Sequence, residues 1–361
     1  MNNIFKKKIS IAGRAIGSDS PPYVIAEMSA NHNGDIRNAL RIIDAAKLSG
    51  ADAVKIQTYR PDTITLKSNN PAFMIEKGLW AGRNLYDLYE EAHLPWEWHG
   101  KLFSYARDVG ITIFSSPFDS TAVDLLEDLN APAYKIASFE MIDLPLIKYV
   151  ASTKKPLIIS TGMANSEEIT EAIDAASSAG CTELVLLHCV SGYPTLSSDY
   201  NLRTMQDMGL RFNVMTGLSD HTLDNLTALT SVALGAVVIE KHVTLDRSRG
   251  GPDDSFSLEP PELEKLCVDS LRAWEALGKV DYGLKSGEKE SLLHRRSLYF
   301  VESLAAGSVI TSKSIKSVRP GNGMLPKFFD YVVGQTLKSS VSYGDPVLEE
   351  LLYCPPTKKS L

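Results

Sequence analysis

The sequence predicts an α/β fold: a (β/α)8 TIM barrel followed by a small β-rich domain. Eight short apolar runs recur along the first two-thirds of the chain, most of them separated by one amphipathic segment of helical spacing. Near-continuous apolar strands alternating with such helices indicate a parallel sheet covered by helices. Eight units in about 250 residues suit a closed barrel better than an open doubly wound sheet, and no GxGxxG joins a strand to a helix. Beyond them the composition changes at residues 282–290 (YGLKSGEKE), and the tail carries short β-like runs spaced by glycines. The expected domains are 1–282 for the barrel, 283–291 for a linker and 292–361 for the small domain.

Taken in order, residues 8–17 (KISIAGRAIG) read as a hairpin closing the barrel bottom. The eight strands are 24–31 (VIAEMSAN), 53–59 (AVKIQTY), 111–118 (ITIFSSPF), 133–140 (AYKIASFE), 156–163 (PLIISTGM), 184–190 (LVLLHCV), 212–221 (FNVMTGLSDH) and 237–244 (VVIEKHVT). Helical patterns lie between them, for example at 36–49, 166–179 and 223–234. The long insert 60–95 is expected over the barrel mouth.

Composition narrows the function classes. Hydrophobic residues make up 44% and charged residues 22%, which is ordinary globular usage. Lys and Arg total 37 against 44 Asp and Glu, a formal charge of −7, which disfavours a general nucleic-acid or membrane-surface binder. The four cysteines, Cys181, Cys189, Cys267 and Cys354, contain no Cys-x-x-Cys pair, so a disulfide framework or thiolate zinc site is not expected. Neither a signal-peptide pattern nor a membrane-length apolar run is present, and the expected location is cytoplasmic. There is no P-loop, GxSxG or HExxH.

Polar residues gather at the C-terminal ends of the strands, where barrel active sites are built: Ser29, Gln57, Ser116, Ser138, Thr161, Ser191 and Asp220. His221 and His242 end the last two strands. With strand period two, Ser219 shares a face with His221 and Glu240 with His242. If that face is the interior, both imidazoles point at the mouth, and two nitrogens without a thiolate suit Mn²⁺ or Zn²⁺. Lys55 and Lys135 sit inside apolar runs, so each needs an anionic substrate or a carboxylate partner. Lys135 and Ser138 have opposite parity, which puts Ser138 in the turn. Glu27 and His32 come from AEMSANHNGD; Asp253 and Asp254 come from GGPDDSFSLEP, where Asp254 reads as a solvated loop residue.

In this order, NHNGD, ADAVKIQTY, SSPFD, YKIAS, STGM, HCVSGYP, GLSDHT, EKHVTLD, GPDDSFSLEP, RRSLY and SVRPGNGMLPK resemble the sialic acid synthase family. AEMSANHNG, KIASFE and KGLW resemble its pseudaminate-forming branch. The resemblance implies a barrel followed by an antifreeze-like (SAF) domain in a domain-swapped homodimer. It implies condensation of phosphoenolpyruvate with an N-acylated amino sugar, 2,4-diacetamido-2,4,6-trideoxy-L-altrose, to give pseudaminate and phosphate. It also implies a divalent metal, Mn²⁺ with Mg²⁺ or Co²⁺ as alternatives, held by His221 and His242. Glu27, His221 and His242 are the implied catalytic set. Lys55, Gln57, Ser116, Lys135, Ser138, Ser160, Ser191, Tyr193 and Ser219 are implied in substrate binding, with Asp253 on the sugar side. Arg319 matches an arginine supplied by the partner's small domain. The alternatives are an N-acetylneuraminate or legionaminate synthase, a Schiff-base aldolase using Lys55, and a non-catalytic carbohydrate-binding protein.

Overall fold

The computed structural model describes residues 4–353, so Cys354 lies outside the described residues. The chain forms two compact units, Met1–Gly278 and Lys279–Leu361. In the first, a hairpin of β1 (Lys8–Ile11) and β2 (Arg14–Gly17) precedes eight parallel strands. These are β3 (Tyr23–Glu27), β4 (Ala53–Thr58), β5 (Thr112–Pro117), β6 (Tyr134–Ile136), β7 (Leu157–Ser160), β8 (Leu184–Cys189), β9 (Met215–Asp220) and β10 (Val238–His242). They close into one barrel in sequence order, with β10 pairing β3.

Residue parity divides the core. Val24, Val54, Ile113, Leu157, Leu184 and Ile239 face outward and pack with helices such as Ile36–Leu48 and Ser166–Ser178. Tyr23, Ile25, Ala53, Phe114, Ile158, Val185 and Val238 form a separate inner layer. Ile9, Ile11 and Ile16 of the hairpin join that inner layer and plug the barrel floor. Gly217 on β9 continues the inward set. A Cβ there would stand 2.3 Å from the Val238 carbonyl oxygen and 2.8 Å from Leu187 Cδ2, so only glycine fits.

The strands are shorter than the apolar runs. The 133–140 run leaves the sheet after Ile136 and turns into a 3-10 segment, Ser138–Glu140, which puts Ser138 in the turn as its parity requires. The last helix of the 223–234 pattern starts only at Leu226, because residues 222–224 are tied to Lys241. Helix starts are fixed by side-chain caps. Asp35 accepts from Arg37 N, and Asn165 and Glu168 form a reciprocal capping box.

The second unit pairs β11 (Ser297–Phe300) with β12 (Ile315–Val318) antiparallel. Isolated bridges such as Leu304 with Val341 add to it, and Leu298, Phe300, Ile315, Leu337 and Val347 form its own core. Among the described residues no helix is long and apolar enough to cross a membrane.

Candidate active site

Above the apolar inner layer the inward parity turns polar. Lys55 on β4 places Nζ 2.8 Å from Glu27 Oε2 on β3 and 3.8 Å from Glu240 Oε1 on β10. It also donates to Ser116 Oγ at 3.1 Å. Lys135 on β6 donates to both Glu240 oxygens, at 3.0 and 3.2 Å, and Ser219 Oγ donates to Glu240 Oε1 at 3.3 Å. Gln57 Nε2 donates to Glu27 Oε1 at 2.9 Å and to Ser29 Oγ at 3.1 Å, and Ser29 Oγ donates to Asp253. Two lysines and two glutamates thus form a buried, formally neutral cluster spanning the barrel.

Burial opposes every charge in it, and the pairing decides the outcome. For Glu240 the two lysines outweigh burial and hold the carboxyl below its ordinary range. For Glu27 burial wins: Lys55 offsets it only in part, Glu240 adds to it, and the carboxyl is pushed up. Burial lowers Lys135, whereas Glu240 and Glu27 together overcome burial and raise Lys55.

Register brings the histidines side by side. Glu240 pairs with Ser219 across β10 and β9, so His242 and His221 follow as neighbours, with ring centroids 5.3 Å apart. His221 Nδ1 lies 2.9 Å from the Val190 carbonyl oxygen, so that nitrogen carries hydrogen and Nε2 is the nitrogen left to face a ligand. His242 Nδ1 is buried without a hydrogen-bond partner, 4.0 Å from Asp253 Oδ2. Burial, then His221 and the two lysines, hold His242 well below the ordinary imidazole range, so the ring is neutral. Burial opposes charge on His221, but Cys189 and the Val190 carbonyl outweigh it and raise its pKa, so a cation here would displace that proton. Two imidazoles beside a carboxylate are a donor set for a divalent cation. Among the described residues no set of three or more His, Cys, Asp or Glu encloses a metal position. A cation here takes its remaining ligands from water or substrate.

A cluster of hydroxyls gathers at the neighbouring strand ends. Gly162 N donates to Ser138 Oγ at 3.3 Å, and a Cβ at Gly162 would stand 2.3 Å from Ser191 Oγ and 2.7 Å from Ser138 Oγ. Ser160 Oγ is buried and unpartnered in the same strand-end layer. Hydroxyls left without protein partners are what an oxyanion ligand needs. Tyr193 packs its ring 4.5 Å from that of His221.

Two family models match this chain: one described as the NeuB family covers residues 42–282, and one described as the SAF domain covers residues 295–352. The chain belongs to the NeuB family. Among its NeuB relatives, a pseudaminic acid synthase of Campylobacter jejuni subsp. jejuni serotype O:2 is 43% identical over 329 residues, covering 91% of this chain and 96% of its own. A pseudaminic acid synthase of Helicobacter pylori is 41% identical over 329 residues, again 91% and 96%. A crystal structure of the N-acetylneuraminic acid (sialic acid) synthetase from Leptospira borgpetersenii serovar Hardjo-bovis, in complex with citrate, superposes with a TM-score of 0.70. It is 30% identical, over 79% of this chain and 95% of that one.

Within this NeuB chain the barrel brings Glu27, Lys55, Gln57, Ser116, Lys135, Ser219, His221, His242 and Asp253 together, whereas Asp220 pairs with Lys241 and Thr161 donates to the Leu187 carbonyl oxygen. Arg319 belongs to the second unit, exposed just beyond β12. His32 stays out of the cluster: its Nδ1 accepts from Gly34 N, its ring meets Trp98 edge-on, and burial lowers its pKa to about 4. The solvated reading of Asp254 is overturned. It is fully buried and accepts from Thr244 Oγ1, Asn33 Nδ2 and Gly251 N, which shapes the loop that presents Asp253.

Sequence reasoning assigned no role to Glu240, Tyr200 or Lys241. Tyr200 OH accepts from His221 N at 2.7 Å and donates to Ser219 O at 3.1 Å. Lys241, facing outward between Glu240 and His242, donates to Asp220 Oδ2 at 2.9 Å and to the Thr222 carbonyl oxygen at 2.8 Å, which pins the loop after His221. The signal for Glu240 was available: two lysines in apolar strands need two anions, and Glu27 supplies only one.

Proposed function

We propose that this chain is a pseudaminic acid synthase, a transferase that condenses phosphoenolpyruvate with 2,4-diacetamido-2,4,6-trideoxy-L-altrose to give pseudaminate and phosphate. The pseudaminic acid synthases at 41–43% identity support the reaction. The observation that carries the reading is the buried Lys55–Glu27 and Lys135–Glu240 cluster beside a pair of imidazoles. Phosphoenolpyruvate brings about −3 charge, roughly two from phosphate and one from carboxylate. Lys55 and Lys135 would exchange carboxylate contacts for that anion, and Ser138, Ser160, Ser191 and the Gly162 N–H would bind its oxygens. A divalent cation, Mn²⁺ foremost, would be held by His221 and His242 and would supply Lewis acidity at the sugar aldehyde.

The protein's own groups then act as follows. Asp253 and Gln57 orient the sugar beside Glu27. Glu27, whose carboxyl burial pushes up while Lys55 offsets that in part, is the acid/base group for the oxygen that becomes the new hydroxyl. The enol carbon of phosphoenolpyruvate forms the carbon–carbon bond, water adds at the adjoining carbon, and the carbon–oxygen bond to phosphate breaks. We further propose a domain-swapped homodimer in which Arg319 reaches the sugar of the other subunit.

One assay tests the reading: phosphate release from phosphoenolpyruvate labelled with ¹⁸O at its bridging oxygen, against a panel of amino sugars. The expected result is fastest turnover with the diacetamido sugar and all label in phosphate. Higher kcat/KM for N-acetylmannosamine would overturn the sugar assignment, and label in the nine-carbon product would overturn the bond cleavage.

A further inference from the structure

We infer that Trp80 is a specificity-determining residue which reads the apolar substituents at the end of the sugar remote from its aldehyde. This inference rests on the proposed function and deepens it. Trp80 lies in the insert between β4 and β5, at the tip of a small hairpin. Ile75 N donates to Arg83 O at 2.9 Å, Gly82 N donates to Ile75 O at 2.7 Å, and Met74 bridges Asn84. Gly78 and Gly82 flank the tip, both with left-handed φ of 87° and 85°.

The reach of this hairpin carries the inference. In the closed ring of eight strands β8 stands four places from β4 in either direction, so the two lie on opposite walls. Yet the Trp80 ring packs 5.8 Å from that of Tyr193, in the loop after β8. Its indole Nε1 also donates to Pro252 O at 3.1 Å, in the loop after β10. The insert rooted on β4 meets Tyr193 where that ring leans over the histidines toward Phe256, above the mouth. The hairpin is therefore a strap over the site, and Trp80 is its point of contact with the far wall.

The chemistry follows from what Trp80 has left to offer. Its one hydrogen-bond donor is committed to Pro252, so its remaining contribution to a ligand is an apolar ring face. Tyr193 lies between it and the histidines, with its ring 4.5 Å from that of His221 and 5.3 Å from that of Phe256. A sugar whose aldehyde sits at His221 and His242 extends outward along this aromatic wall, and its distal carbons arrive under the strap. In the proposed substrate those carbons carry an acetamido group and a methyl group. N-acetylmannosamine carries hydroxyls at the same places and gains nothing from an indole face.

Steady-state kinetics of Trp80→Ala and Trp80→Phe with both sugars test this, since a methyl-sized contact is worth about tenfold or more in kcat/KM. Trp80→Ala is expected to lower kcat/KM for the diacetamido sugar by about that factor. It should leave the KM for phosphoenolpyruvate unchanged and narrow the preference over N-acetylmannosamine; Trp80→Phe should fall between. In parallel, the alditol of the diacetamido sugar should quench tryptophan fluorescence in the parent protein and lose that part of the quench in Trp80→Phe. Equal losses for both sugars would mean that the strap only excludes water and would overturn the inference, as would no loss. A parent protein that does not turn over the diacetamido sugar would overturn the proposed function itself and this inference with it. A parent that does, with variants that keep the same preference, would overturn the inference alone.

Discussion

Glu240→Gln isolates the charge that holds the two lysines. The substitution keeps the shape and one oxygen able to accept from Lys135, but removes the negative charge. Among the described residues Lys135 has only Glu240 as an ion-pair partner, its side chain is 2% exposed, and Lys55 loses one of its two carboxylates. Removing one partner of a buried pair costs about 3–5 kcal/mol, because the remaining charge stays in a poorly solvating site. For a domain of this size that corresponds to a fall in Tm of roughly 10 °C. Phosphoenolpyruvate restores negative charge at the same place, and a ligand at 100 times its Kd stabilises by about 2.7 kcal/mol. The variant should therefore recover most of its lost Tm with saturating phosphoenolpyruvate, and its ligand-induced shift should exceed that of the parent. Differential scanning with and without the ligand reads both quantities. A Tm within about 1 °C of the parent, well inside the predicted loss, or a smaller ligand-induced shift, would refute the view that Glu240 stands in for substrate charge.

Three further outcomes are expected. His221→Ala and His242→Ala should each abolish turnover and weaken Mn²⁺ binding measured by electron paramagnetic resonance, with circular dichroism unchanged; turnover by either variant in metal-free buffer would exclude the metal pair. Gly162→Ala should raise the KM for phosphoenolpyruvate by about tenfold, since its Cβ would enter the space between Ser138 and Ser191 and displace oxyanion donors. Burial lowers the pKa of His32 and of His99 to about 4, below the ordinary imidazole value near 6.5, so the unfolded chain takes up these protons first on acidification. Their stabilisation is fully present above about pH 6.5 and is lost as pH falls toward 4; Tm measured across this range should fall less steeply in a His32→Gln, His99→Gln double variant.

The barrel was legible because strand parity is a local signal. Period-two alternation in VVIEKH and GLSDH puts Glu240 with His242, and Ser219 with His221, on one face each before any coordinates are known, and the register makes that face the inward one. Ser138 was likewise separable from Lys135 by parity alone. What parity does not carry is partnership across the barrel. Nothing local links Lys135 to Glu240, 105 residues later in the chain. Asp254 reads as solvated because glycines, a proline and acids surround it, while its partners include Asn33, 221 residues away in sequence, and Thr244 at the end of the preceding strand run. The strap was foreseen as a covering insert, but a loop sequence does not state which wall it touches. Lys241 was hidden by its neighbours: the same strand that aims Glu240 and His242 inward aims it outward, into a role visible only once the loop at 222–224 folds over it.

The plugged floor has a consequence for traffic. Ile9, Ile11 and Ile16 seal the lower end, so the barrel is a vessel with a single doorway, and that doorway is spanned by the strap. Two reactants enter and two products leave by the same opening. The lysines lie in the strand-end layer directly above the apolar plug, while the aromatic wall stands nearer the entrance. Whatever occupies the lysines is therefore shut in by whatever lies along the wall. With the proposed occupants, the expected consequence is a queue in catalysis: the phosphate-bearing reactant would load before the sugar, and phosphate would wait behind the nine-carbon product until that product had passed the strap.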